Sequence, residues 1–377
     1  MHLTKSLFSA GNLAPVGLSL CIIWTSGASA DNLRIVTYNI SAGSVAPGND
    51  LSTVLQAIGN EHLNGNAQPI DVLALQELSY ASSEASPTLK AIVTNLNNFY
   101  GVGTYTYDPI YDPTTGGGTG GGPSGLIYNT NTVRDLGSLV IGTTSSSGAA
   151  RAPVRYNLQP VGGGGDAAFY LYVSHAKSGT TSDDKDRRNF ESQELRSDAS
   201  SLGSSAHIIY AGDFNLTSST ETSYQTLIAP GIGQAKDPVN PAGNWTATSA
   251  FKNLLTESAT DLSYRDDFQF VTAPMLDTSG LQLLSESYSV FGNNGSTARG
   301  KSVNLSTNTA LSDLANKSAV LSALTTFTDH LPVVADYSFT PVPEPSTLVS
   351  LAVGTICGIA AGIWRRWRAG WDSSVAA

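Results

Sequence analysis

Thr328-Asp329-His330 stands directly ahead of the apolar run Leu331-Pro332-Val333-Val334. An acid and an imidazole are thereby fixed side by side at the entrance to a buried strand, where both resist desolvation. A strand entrance with only a structural duty does not choose that pair. Cleavage of a phosphate ester does, because it needs a metal ligand and a proton-transfer group on rigid scaffold. Other strand-like runs carry similar polar tips. Asn39 follows Val36-Thr37-Tyr38, Glu77 closes Leu75-Gln76-Glu77, and His175 follows Tyr172-Val173-Ser174. Asp213 and Asn215 lie in Gly212-Asp213-Phe214-Asn215, and Asp267 opens a strand within Arg265-Asp266-Asp267-Phe268. Polar tips converging from several strand ends are how a sheet builds a site. Two residues apart on an extended segment, Asp213 and Asn215 point the same way.

The elements that must hold these tips are short strands separated by helices and loops. Strands are expected at 33–40, 70–75, 125–128, 168–174, 206–211, 268–271 and 332–337. Helical spacing appears over 51–63, 89–96 and 190–202. That order predicts two sheets covered by helices. The glycine clusters at 116–122 and 162–165 read as surface loops. The polar intervals 217–261 and 273–326 read as insertions near the rim of the site.

Each residue also has a plain structural reading. Glu77 fits a helix cap, His175 a core histidine, and Asp213 with Asn215 an Asx turn. His207 reads as structural and His62 as exposed. Lys177, Lys185, Arg187, Arg188 and Arg196 are interleaved with acids, as on a solvated face, although Lys177 lies only two residues past His175. Tyr105, Tyr107 and Tyr111 read as loop packing ahead of base stacking.

The termini read as addresses. Residues 1–30 carry Lys5, an apolar stretch and Ala28-Ser29-Ala30, the pattern of a secretory signal. Residues 342–377 carry Pro343-Glu344-Pro345, an apolar run at 348–364 and the cluster Arg365, Arg366 and Arg368. This order resembles the bacterial PEP-CTERM sorting tail. The resemblance implies a signal peptidase and an exosortase-like enzyme as partners, and transient membrane insertion of the tail. It places the folded part, 31–341, at the surface, outer envelope or extracellular matrix of a Gram-negative-type bacterium. Cys21 and Cys357 are the two cysteines of the chain. Both fall in these end segments, which excludes disulfides, zinc–thiolate sites and cysteine nucleophiles from residues 31–341. Setting aside Lys5, Arg365, Arg366, Arg368, Glu344 and Asp372 leaves 16 of 20 basic and 28 of 30 acidic residues, a net of −12. That balance weighs against a protein that wraps duplex DNA.

Tyr-Asn-Ile at 38–40, Leu-Gln-Glu at 75–77, Ser-His at 174–175, Gly-Asp-Phe-Asn at 212–215, the Asp before Phe268 and Asp-His-Leu-Pro at 329–332 occur in one order. Together they resemble the endonuclease/exonuclease/phosphatase superfamily, the fold of DNase I. The resemblance implies an α/β (α+β) four-layer α/β/β/α sandwich of two mixed β-sheets covered by helices. It implies Mg2+, with Mn2+ as a substitute, held by Glu77, Asn39 and Asp329. It assigns catalysis to His175, Asp213, Asn215, Asp267 and His330; the Arg-x-Asp-Phe spacing favours Asp267 as the acid that orients His330, with Asp266 as the alternative. The expected activity is phosphodiester hydrolysis of extracellular DNA or RNA. The alternatives are hydrolysis of lipid headgroups or small phosphate esters, and a non-catalytic surface or matrix protein that keeps the fold.

Overall fold

The computed structural model describes residues 31–342 apart from 42–47, 64, 80–85, 110–121, 247 and 258, together with 359–360 and 362–365. The signal segment, most of the tail, Tyr111 and most of the 116–122 glycines lie outside the described residues. Among those described, no helix is long and apolar enough to cross a membrane.

The first half of the fold runs β1 (Asp31–Asn39), α1 (Asn49–Asn60), β2 (Val72–Gln76), α2 (Pro87–Tyr100), β3 (Tyr105–Tyr107) and β4 (Gly125–Asn129). Then come β5 (Val133–Val140), β6 (Val154–Pro160), β7 (Phe169–His175), α3 (Ser182–Ser201), β8 (Ile208–Asp213) and α4 (Thr222–Ile228). The chain closes with β9 (Asp267–Val271), β10 (Gln282–Leu283), β11 (Ser289–Val290), α5 (Lys317–Phe327) and β12 (Val333–Phe339).

The strands form two mixed sheets. The first runs β10-β12-β1-β2-β4-β3, with β11 also on β12; the second runs β5-β6-β7-β8-β9. Each has one parallel pair at its centre, β1 with β2 and β7 with β8. These central strands are buried on both faces and therefore read as nearly continuous apolar runs. Leu33, Ile35, Val72 and Ala74 meet Leu171, Val173, Ile209 and Ala211 between the sheets. On the outer face of the first sheet, Val36, Tyr38, Leu73 and Leu75 pack with apolar residues of α1, α2 and α5. On the outer face of the second, Tyr172, Tyr210 and Phe270 pack with Leu195 of α3 and Leu227 of α4. The result is a helix–sheet–sheet–helix sandwich.

Several elements differ from the sequence reading. α3 starts at Ser182, eight residues before its expected start at 190. Its first turn is charged, but Thr181 caps it: the Thr181 hydroxyl accepts from Asp184 N, and Thr181 N donates back to the Asp184 carboxylate. The interval 273–326 holds β10, β11 and most of α5, whose Val320, Leu321 and Leu324 are buried at helical spacing. β5 and β6 were not anticipated, although Val154, Tyr156, Leu158 and Pro160 alternate inward with the period of a strand.

Candidate active site

Parallel pairing sends the C-terminal ends of β1 and β2 to one side, and those of β7 and β8 to the same side of the sandwich. Antiparallel partners bring their N-terminal ends there. Asp267 at the start of β9 is paired with Asp213 at the end of β8. Val333 at the start of β12 is paired with Thr37 near the end of β1. All the polar tips thus meet at one rim, from positions up to 291 residues apart (Asn39 and His330). The backbone bends sharply to aim them: Glu77 has φ 58° and Asn215 φ 50°, left-handed conformations that non-glycine residues adopt at a cost. At Gly212 (φ 143°) a Cβ would meet Ser174 O at 1.9 Å, so only glycine lets β7 and β8 approach here.

Asp213 is the centre of the site. Its Oδ2 accepts from Asn39 Nδ2 at 3.0 Å and lies 3.5 Å from His175 Nε2 and 3.9 Å from His330 Nε2. Asn39 Nδ2 also donates to Glu77 Oε1 at 3.1 Å, and His175 Nε2 lies 3.6 Å from that same oxygen. Asp213 Oδ1 accepts from the backbone N and the Nδ2 of Asn215, at 2.9 and 2.8 Å. Burial pushes the Asp213 carboxyl up to about 7; His330 pulls it down, Asp267 raises it further and the Asn39 amide lowers it.

His330 Nδ1 is 2.8 Å from Asp267 Oδ2. That contact fixes the ring with Nε2 facing the site. Burial works against a charge on this ring, but Asp267, Asp213 and Glu257 together hold its pKa well above the usual imidazole value. Asp266, the other acid considered for this contact, turns instead to Glu257. Burial first, then its hydrogen bond with Glu257, holds it well above the carboxylate range. Thr256 supports both acids, its hydroxyl accepting from Asp266 N and Asp267 N at 3.1 and 3.0 Å.

Seven of the eight residues singled out from sequence form this cluster; Asp329 joins its edge through His330 and Glu257. Its side chain is 54% exposed, with Oδ1 3.8 Å from His330 Nε2. Two groups of potential ligand atoms result: Glu77, His175 and Asp213, and separately Glu257, Asp329 and His330, each with its atoms within 4.8 Å of one another. The first offers two carboxylates and an imidazole beside the Asn39 amide. A carboxylate-rich set of this kind fits a hard divalent cation. Asn215 also differs from expectation. Its Nδ2 is engaged by Asp213 Oδ1 and Ala176 O, so its amide fixes Asp213 instead of facing outward.

The basic run after His175 is largely structural. Lys177 Nζ pairs with Asp184 at 2.8 Å. Arg188 is fully buried and joins Glu221 to the carbonyls of Lys177 and Gly179. Arg187 donates to the carbonyls of Gly148 and Ser145. His207 Nε2 meets Ser279 O, His62 pairs with Asp313, and the Tyr105 hydroxyl donates to Ile70 O. Glu77 caps no helix, since Ser86 does that for α2. Sequence reasoning passed over Glu257 and Glu191. Glu191 is buried in α3 and accepts from the backbone N of Ala150, Arg151 and Lys177, which ties the chain just past His175 to the segment before β6. Its signal was an acid on the inward stripe of a helix.

Buried carboxylates, an amide and two imidazoles at the common rim of two packed sheets define a hydrolytic site able to take a metal. The profile of the endonuclease/exonuclease/phosphatase family matches residues 36–330, and the chain belongs to that family. Members are metal-dependent phosphoesterases acting on phosphodiester substrates, and this chain is an enzyme of that class. A search of curated proteins finds no match. Among solved structures the chain is similar to the human Nocturnin catalytic domain with bound sulfate (18% identity, TM-score 0.49, 82% of this chain and 98% of that one). It is also similar to D. rerio TDP2 complexed with a single-strand DNA product (16%, TM-score 0.49, 81% and 98%). A Bacteroides vulgatus member of the family is similar as well (15%, TM-score 0.47, 81% and 98%).

Proposed function

We propose that this chain is an exported Mg2+-dependent phosphodiester hydrolase, an endonuclease acting on extracellular DNA or RNA. The observation that carries the reading is the convergence on Asp213 of Asn39, His175 and an Asp267-oriented His330. Glu77 and Asn39 would hold the cation, with Asp213 and His175 beside them, and Asp329 reaches the same rim at His330 Nε2. When bound, the cation supplies charge stabilisation at the phosphate. The protein supplies the rest. Asp213, with its raised pKa, is poised near neutral pH to take a proton from the attacking water. Asn215 and Asn39 hold that carboxylate in place. His330, kept protonated by Asp267, offers an Nε2–H to phosphate oxygen, and His175 faces the same space from β7.

The termini support export: a secretory signal at 1–30 and a sorting tail at 342–377 would bracket the catalytic domain 31–341 and place it outside the cell. The acidic balance of the chain favours a second reading, hydrolysis of small or lipid-headgroup phosphodiesters. One assay separates them. Plasmid DNA, RNA and bis-p-nitrophenyl phosphate are incubated with the purified protein, in Mg2+ and in EDTA. Nicking that needs Mg2+ supports the nuclease. Turnover of the small diester alone moves the assignment to the second reading.

A further inference from the structure

We infer that Tyr264, Arg299 and Lys301 form a subsite for a single nucleic-acid strand beside His330, where the tyrosine stacks a base and the two cations take flanking phosphates. The inference rests on the nuclease reading above. Its starting point is a backbone ladder leading away from the reaction centre. Glu257 forms an antiparallel bridge with His330 on one side and with Tyr264 on the other. Leu331 N donates to Thr256 O at 2.7 Å, and Ala259 N to Asp329 O at 2.8 Å. Tyr264 N donates to Glu257 O at 2.9 Å. Adjacent positions across such a ladder are about 4.8 Å apart, so Tyr264 stands two steps, roughly 10 Å, from the histidine. Its side chain is not used in the core: it is 42% exposed, whereas seven of the thirteen described tyrosines are buried.

The insertion ahead of α5 supplies the charge. Gly300 N donates to Leu262 O at 2.9 Å, and Val303 N to Ala259 O at 3.0 Å. These bonds lay residues 299–303 along the outer edge of the same ladder. Arg299 and Lys301, on either side of Gly300 (φ 73°), are both exposed. Other cations near the site are engaged within the chain: Lys177 by Asp184, Arg188 by Glu221, Arg187 by two carbonyls and Arg151 by Ala176 O. In a chain of net charge −10, the ladder that leaves His330 thus carries an exposed ring and, on its outer edge, two exposed cations, with Asp329 and Glu257 as the acids nearest the histidine. Asp261 on the same loop is turned to its own Ser263 hydroxyl. An aromatic platform flanked by cations is how a single strand is held without reading its sequence. A duplex has no base face to offer the ring.

The test uses the full chain with Mg2+, on a single-stranded oligonucleotide and on bis-p-nitrophenyl phosphate, which has no neighbouring nucleotides. Tyr264→Ala and the double substitution Arg299→Ala/Lys301→Ala should each lower the ratio of oligonucleotide to small-diester kcat/KM by about 10-fold, mainly through KM. Tyr264→Phe should restore the ratio, since the ring remains. The double variant should also flatten the salt dependence of KM by about 0.7 log units per log unit of salt for each charge removed. Variants that keep the wild-type ratio while the wild type cleaves the oligonucleotide overturn the subsite and leave the nuclease reading standing. A wild type that cleaves the small diester but no oligonucleotide overturns both.

Discussion

Two buried polar clusters lie at opposite ends of β1, and they are built on opposite rules. Near the start of the strand, Arg34 is completely buried and fully satisfied. It meets Asp336 through two parallel bonds of 2.8 and 3.0 Å and donates to the carbonyls of Ile58, Glu61, Asn66 and Gln68. Its backbone N–H is taken by Asp71. One cation, held in fork geometry, organises the chain around it. At the far end, Asn39 sits among Glu77, Asp213 and two imidazoles, with Asp267 behind. The charges that act on these acids are His330 and Arg151, whose guanidinium donates to Ala176 O and reaches Asp213 and Glu77 through space instead of in fork geometry. Asp267 Oδ1 is buried without a partner, and Glu77 and Asn215 hold left-handed backbone. The first cluster settles the fold. The second keeps electrostatic and conformational stress that a cation and a phosphate would relieve.

The sharpest break of this comparison is at the site. His330→Ala or Asp213→Asn should lower kcat by about 100- to 10,000-fold, while circular dichroism and thermal melts show a folded protein. A loss of activity that merely tracks unfolding would erase the distinction between the clusters. Arg34→Met should do the reverse. Stranding Asp336 in the core should cost about 3–5 kcal/mol of stability in a urea titration, with turnover per folded molecule close to wild type.

Acidity separates the clusters more finely. Folding raises the Asp213 carboxyl from 3.8 to about 7, so the folded state holds this proton where the unfolded chain has released it. Its contribution to stability is therefore present below about pH 4 and lost as pH rises towards about 7. In EDTA, Asp213→Asn should flatten the fall in melting temperature over that window, and Mg2+ should restore stability to the wild type at neutral pH. Asp71 and Glu61, raised by burial to about 6 and about 7, should keep their share of the slope in that variant. The smallest effect is expected at Lys177→Ala. Its pair with Asp184 is at the surface, worth at most about 1 kcal/mol, and kcat should stay within about two-fold. A large loss there would return Lys177 to the substrate side.

Much of the site could be read from the chain because strand tips are local. An apolar run with a polar last residue announces both a strand and the end at which chemistry can sit; Asn39, His175 and Asp213 carry that mark, and Asp267 carries its mirror image as the polar first residue of a strand. α5 was hidden because the surrounding Asn, Ser and Thr dilute Val320, Leu321 and Leu324. β5 was hidden because as an edge strand it leaves Leu136 and Leu139 half exposed and shows no buried face.

Which residue types meet at the rim is already written in the chain, since side-chain alternation and strand polarity follow from backbone geometry alone. How those residues divide the work came with the packing of the whole molecule. It gave Asp267 to His330 and Asp266 to Glu257, turned the Asn215 amide inward to Asp213, and grouped Asp329 with Glu257 and His330. It also sank Arg188 into the core and laid the 299–303 segment against Leu262 and Ala259. Each of these depends on which distant loop packs against which strand end, and no local pattern of residues encodes that choice.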